Sequence, residues 1–142
     1  MSESPVYAAQ AAIRDRLIAA DGPWGNRVRW SEGLSGWPFP YVVLVFGGGA
    51  EQNRWRAPDV EIVIVVKAVS DTAESASEAS ALIADALNDR GRYDNSDALS
   101  GGASWDIKTV SREDFVSYTE PITETKMLFH EGARFRLVME AI

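Results

Sequence analysis

The stretch from residue 39 to residue 69 constrains the fold more than any other part of the sequence. It holds two apolar runs rich in β-branched residues, 41–46 and 60–66, separated by a glycine-rich and then polar connection. In the second run Glu61 and Lys67 alternate with apolar residues, and this period of two predicts a strand with one face in the core. The first run lacks such alternation, which is typical of a strand that is covered on both faces. We expect the two runs to form a long antiparallel hairpin at the centre of a sheet.

The connection between the two runs, residues 47–58, is predicted to be a loop. It opens with Gly47, Gly48 and Gly49 and closes with Pro58. Phosphate-binding loops also follow strands, but no Gly-Lys-Ser or Gly-Lys-Thr comes after these glycines. They are interpreted as the point where the end of the first strand bends or bulges.

The same connection carries Trp55 between Arg54 and Arg56. Tryptophan and arginine are enriched at the hot spots of protein interfaces. The three residues are therefore a candidate interface, and we expect the loop to be mobile until a partner orders it. The alternative is that Trp55 folds back onto its own hairpin.

Two helices flank the hairpin in the sequence. The first is predicted over residues 5–20, where Ser4 can cap the helix and Pro5 suits its first turn. The second is predicted from residue 70 or 71 to about residue 89, because Asp71 and Glu74 have the spacing of a capping box. Both have apolar stripes at helical spacing: Val6, Ala9, Ile13, Leu17 and Ala20 in the first, and Ala76, Ser80, Ile83 and Leu87 in the second.

The remaining strands are expected at residues 28–30, 105–109, 115–118 and 133–142, while 121–132 is ambiguous. The last strand alternates clearly, with Phe135, Leu137 and Met139 on one face. Trp24, Trp37 and Phe39 lie in irregular segments and are interpreted as core plugs that cover sheet edges. Helices and strands do not alternate regularly, which favours one α+β domain over residues 1–142, with a mostly antiparallel sheet and both helices packed on one face.

Composition excludes several classes of function. The chain has no cysteine, so disulfides and thiolate metal sites are excluded, and assembly in a reducing cytoplasm is expected. No apolar run reaches the ~18 residues that a membrane-spanning helix needs. The net charge of −7 argues against a surface that binds nucleic acid, since phosphate binding requires clustered lysine and arginine.

No catalytic or metal-binding pattern is recognisable. The single histidine, His130, is interpreted as a surface or hairpin residue rather than a catalytic group. Asp94, Asn95 and Asp97 resemble the start of a calcium loop, but the ligand spacing and the glycine of such a loop are missing. The sequence therefore predicts no enzymatic site, no cofactor and no metal.

The chain resembles the tail terminator, or tail-completion, proteins of long-tailed bacteriophages and prophages. The resemblance lies in the helix YAAQAAIRDRLIAA, the strand entry PFPYVVLVFGG, the strand APDVEIVIVVKA, the helix DTAESASEASALIADALND and the terminal EGARFRLVMEAI. These are patterns of element order and hydrophobicity rather than catalytic signatures. They cover most of the chain and are weakest over residues 94–121.

The resemblance implies a structural protein of the virion tail, assembled in the host cytoplasm. Such proteins form a homohexameric ring at the head-proximal end of the tail tube, stop polymerisation of the major tail tube protein, and offer a surface for head–tail joining. DNA passes through the lumen without specific binding. A head–tail connector, or neck protein, is the alternative within this class and also a potential partner. A small α+β enzyme or ligand-binding module is the alternative from another class.

Overall fold

The computed structural model describes residues 4–30, 37–52, 59–88, 99–102 and 104–142 of the protein. Along this part of the chain two helices and six strands follow one another. They are α1 (Pro5–Ala19), β1 (Val28–Trp30), β2 (Tyr41–Gln52), β3 (Asp59–Ser70), α2 (Ala73–Leu87), β4 (Ser100–Gly101), β5 (Trp105–Pro121) and β6 (Met127–Ala141).

The strands form one sheet in the order β1-β2-β3-β6-β5-β4. β2 and β3 pair antiparallel, with Leu44 opposite Val66, so the predicted central hairpin is confirmed. β1 pairs with β2 in parallel, and the other described pairs are antiparallel. β6, the last strand in the sequence, lies in the interior of the sheet between β3 and β5.

Both helices pack on one face of the sheet, and the core lies between them and that face. The apolar faces predicted for β3 and β6 are confirmed, because their inward residues are almost fully buried: Val60, Ile62, Ile64, Val66, Phe135, Leu137 and Met139. Full burial of such a side chain contributes roughly 1.5–3 kcal/mol. The predicted α+β fold is therefore confirmed. Within the described residues no helix is both long enough and apolar enough to cross a membrane.

α1 begins and ends close to where the sequence predicts. The Ser4 hydroxyl accepts a hydrogen bond from the Tyr7 backbone N–H at 3.5 Å. At the other end Trp24 is fully buried and its indole N–H donates to the Leu17 carbonyl at 2.9 Å, so this residue is a core plug as expected. Trp37 and Phe39 are only half-buried, and each lies against the ring of Tyr41 at a centroid distance of 5.8 Å.

α2 begins later than the capping-box spacing predicts. Ser70 is the last residue of β3, and the cap is Thr72, whose hydroxyl accepts a hydrogen bond from the Ser75 N–H at 3.2 Å. Asp71 is exposed and does not cap the helix. The prediction of Asp71 as the cap was wrong because the strand continues to Ser70 and Thr72 is the first side chain placed to reach the free N–H groups.

The predicted loop over residues 47–58 is strand for its first half. β2 continues to Gln52, and the register shift with β3 falls between Phe46 and Gly48. Gly48 has φ +130°, a conformation that glycine adopts without strain, so the predicted bulge exists but lies inside the strand. Residues 48–52 are therefore paired with β3 rather than mobile, while residues 53–58 lie outside the described residues.

The two strands predicted at residues 105–109 and 115–118 are one strand, β5, of 17 residues. Register shifts against β6 between Ile107 and Thr109 and between Arg112 and Phe115 interrupt its alternation. The ambiguous segment 121–132 contains the end of β5, a turn at 122–126 and the start of β6. β5 and β6 thus form a second long hairpin.

Candidate assembly surface

The outer part of the β5–β6 hairpin, residues 115–129, extends past the core; we call it the hairpin arm. Trp105, Ile107 and Val110 at the start of β5 are buried, whereas almost all side chains from Arg112 to Pro121 are exposed. β4 covers the outer edge of β5 only at Trp105 and Asp106. No described strand pairs with this edge from Phe115 to Pro121, so the backbone groups along that part of the arm are available to another chain.

Four large apolar side chains are exposed in this arm. Phe115 is 76% exposed, and Tyr118, Ile122 and Met127 are each nearly half exposed. Arg112 lies over the ring of Phe115, with its guanidinium carbon 4.8 Å from the centroid. Apolar side chains along a free strand edge are typical of a surface that binds another protein.

The turn of the arm is closed by hydrogen bonds. The backbone N–H groups of Ile122 and Thr123 donate to the Lys126 carbonyl at 2.9 and 3.1 Å. The Lys126 N–H donates to the Thr123 hydroxyl at 3.0 Å. The backbone of the arm is therefore an ordered hairpin.

At the base of the arm, His130 lies in a cluster of aromatic and charged groups. Its ring stacks on Tyr118 at a centroid distance of 4.4 Å, and its Nε2 lies 3.0 Å from a Glu120 carboxylate oxygen. The Lys67 ammonium donates to the Tyr118 hydroxyl. Of the two predicted settings, surface or hairpin, the hairpin is correct: His130 lies on the β5–β6 hairpin but is only 8% exposed, because β6 lies between two other strands.

Burial lowers the pKa of His130; the hydrogen bond to Glu120 acts in the opposite direction, and the positive charge of Lys67 adds to the lowering. Burial, followed by the negative charge of Glu120, raises the pKa of Tyr41 on β2. Because the pKa of His130 is lowered, its imidazole is neutral at pH 7. Because its Nε2 is paired with Glu120, its face is covered by Tyr118, and Tyr118 accepts a hydrogen bond from Lys67, this cluster connects the arm to β3.

A second network crosses the face of the sheet opposite the helices. Arg136 on β6 donates to Glu61 on β3 at 2.7 Å and also donates to both carboxylate oxygens of Glu113 on β5. The hydrogen bonds to Glu113 contribute most to a raised pKa of Arg136, which stays charged throughout the ordinary pH range. This network connects three neighbouring strands near the point where β5 bulges.

A groove of about 540 Å³ lies at the opposite edge of the sheet, between α1 and β1. Three aromatic residues line it, Tyr7, Trp30 and Trp37, and the ring centroids of Tyr7 and Trp30 are 5.6 Å apart. Its charged lining groups are Arg14, Arg29 and Asp15. The Arg14 side chain donates to the Val28 carbonyl at 3.4 Å, which connects the helix to the edge strand.

The interface residues predicted from the sequence, Arg54, Trp55 and Arg56, lie outside the described residues. Their role therefore stays a prediction. Within the described ranges no group of three or more histidine, aspartate or glutamate side chains is arranged to hold a metal ion. The features that the structure brings together are the arm and the groove, and the sequence analysis identified neither.

No protein-family model and no curated protein sequence matches the chain. Among solved structures, it is similar to a chain of the virion of the native gene transfer agent particle, with a TM-score of 0.63 and 19% identity. The similarity covers 98% of this chain and 99% of that chain. At this identity the comparison shows a shared fold over the whole length.

Proposed function

We propose that the protein is a structural component of a phage or prophage virion, and specifically a ring-forming tail terminator without enzymatic activity. The observation that carries the proposal is the likeness, over nearly the full length of both chains, to a chain of a gene transfer agent virion. The order of helices and strands that resembles the tail terminators supports the finer assignment.

The described surface supports an assembly role. The hairpin arm exposes four large apolar side chains beside a free strand edge, and the α1–β1 groove exposes aromatic rings at the other edge of the sheet. A closed ring needs two different surfaces on each subunit, one for each neighbour. In this proposal the ring is a homohexamer at the head-proximal end of the tail tube, Arg54, Trp55 and Arg56 contact a neighbour or the tube, and DNA passes through the lumen without specific binding.

The test combines the oligomeric state with binding to tails. Native mass spectrometry and negative-stain imaging of the purified protein should show six-fold rings, alone or once tail tubes are added. In an assembly reaction with the major tail tube protein, the protein should bind one end of each tube and stop its growth. Rings that bind portal complexes and leave tube ends free would assign the neck role instead. A protein that neither forms rings nor binds tubes or portals would contradict the virion role.

A further inference from the structure

We propose that the turn of the hairpin arm, residues 121–127, docks into the α1–β1 groove of the next copy of the chain. This contact rests on the proposed ring function and identifies the two surfaces that would make it. The arm lies beside β5 and the groove beside β1, at opposite edges of the sheet. A contact between two such surfaces is head-to-tail, which is the kind of contact that repeats around a ring.

The apolar parts of the two surfaces match. Ile122 and Met127 are 48% and 46% exposed at the end of the arm, next to Pro121. The groove offers the rings of Tyr7, Trp30 and Trp37, and its volume of about 540 Å³ lies within the ~300–1,000 Å³ of pockets that hold whole ligands. Aromatic side chains that surround an inserted apolar group are common at interface hot spots.

The charges of the two surfaces are opposite in sign. The groove is lined by Arg14 and Arg29 against the single acid Asp15. Arg29 is exposed and forms no ion pair with any described residue. The arm as a whole, residues 115–129, carries Glu120 and Glu124 against the single base Lys126. Glu120 is already hydrogen-bonded to the His130 ring, so Glu124 is the acid that the turn itself presents. In a chain of net charge −7, copies repel one another over most of their surface, and a locally basic groove favours the acidic arm.

The arm is prepared for docking before contact. Its turn is closed by the hydrogen bonds of Ile122, Thr123 and Lys126, and its base is connected to β3 by the stacked rings of Tyr118 and His130 and by Lys67. A segment that is already ordered loses little conformational entropy on binding. Under this proposal the partner that occupies the groove is a second copy of the chain.

The experiment uses one variant of each surface and a matched control for each. Ile122→Asp changes the arm, and its control is Leu82→Asp on α2, at a side chain that is similarly exposed. Arg29→Glu changes the groove, and its control is Arg134→Glu, an exposed arginine of β6. Glu124→Lys is a second arm variant. Circular dichroism and thermal midpoints equal to those of the parent verify that each variant is folded.

Sedimentation velocity then measures association. We expect each test variant to weaken self-association by about tenfold or more, as loss of a hot-spot residue does, with little change for the controls. A 1:1 mixture of the Ile122→Asp and Arg29→Glu variants retains one intact contact, between the parent arm of one and the parent groove of the other. The mixture should therefore form a heterodimer that cannot close into a ring.

The outcomes separate this contact from the ring itself. If the parent protein forms rings and the test variants associate as well as the parent, the arm–groove contact alone is refuted. The same holds if the 1:1 mixture of the two variants stays monomeric. A two-fold dimer that only the arm variants disrupt would show that two arms pair with each other instead. A parent that stays monomeric with and without tail tubes would refute the ring and the contact together.

Discussion

Gly132 is the position where one added methyl group should damage the fold most. It lies in β6 opposite Lys67, between two antiparallel neighbours. A Cβ built on Gly132 would lie 2.0 Å from the Val66 carbonyl oxygen and 2.5 Å from the Lys67 Cα. Both obstacles are backbone atoms of β3, so no side-chain rotation relieves the contact, and Gly132→Ala must move the two strands apart.

The magnitude follows from what has to move. Overpacking in a core costs typically about 1–3 kcal/mol, and more where rearrangement is difficult. Alanine recovers about 0.5–1 kcal/mol of backbone entropy relative to glycine in a strand. Since separating β3 from β6 also strains ladder hydrogen bonds in the middle of the sheet, we expect a net loss of about 3 kcal/mol in the free energy of unfolding. For a domain of this size that corresponds to a thermal midpoint lower by about 10 °C.

Urea unfolding followed by tryptophan fluorescence measures this loss, because Trp24 and Trp105 are buried in the folded state. Gly47→Ala is the matched control in the same sheet. Its Cβ would lie 3.3 Å from a Val63 methyl carbon and from the Val63 carbonyl oxygen, so a shift of a few tenths of an ångström accommodates it. We expect the control to change the free energy by less than about 1 kcal/mol. Equal values for the two variants would refute the argument from strand separation.

Three further changes test other parts of the structure. The pKa of His130 in the folded protein is below its ordinary value of about 6.5, so between the two values the unfolded chain binds more protons than the folded one. The free energy of unfolding should therefore fall as the pH drops through that window. His130→Gln should flatten this part of the stability–pH curve, and parallel curves for the variant and the parent would contradict the assignment. Arg136→Met should lower the free energy of unfolding by about 1 kcal/mol at low salt and by less at high salt, as expected for partly exposed ion pairs with Glu61 and Glu113. A loss of stability that does not depend on salt would show that packing of the Arg136 side chain dominates. Trp55→Ala should change stability by less than about 1 kcal/mol but weaken ring formation or tail capping by about 2 kcal/mol or more, and a variant that caps tails normally would remove Trp55 from the interface.

The sequence predicts an element well where its periodicity is uninterrupted. β3 and β6 pair without a register shift, so their inward residues stay two positions apart across the core, and both their buried faces and the β2–β3 pairing could be predicted. β5 alternates only between its register shifts at Ile107/Thr109 and Arg112/Phe115, and a sequence pattern read across these shifts breaks one strand into two. Asp71 and Thr72 are adjacent residues that can both cap a helix, and only the length of β3 decides between them.

The candidate assembly surface was harder to predict because it depends on which strands become neighbours. Ile122 and Met127 are ordinary apolar residues in the sequence, and they are exposed because the hairpin arm extends past the core. His130 is buried because β6 lies between β3 and β5. The groove combines α1 and β1 with Trp37, which follows them in sequence. None of these neighbour relations follows from local periodicity.

The interior position of β6 sets the order of events during synthesis. Until residues 127–141 have been made, β3 and β5 lack the strand that lies between them, and the chain can form only local elements such as α1, α2 and the β2–β3 hairpin. The pairing of β3 with β6 joins residues that are far apart in sequence, from Ser70 with Phe129 to Asp59 with Glu140, and contacts of such separation form late. The hairpin arm pairs β5 with β6, so it too requires residues 127–129 to have been made. A nascent subunit therefore lacks one of its two proposed docking surfaces until β6 has been made.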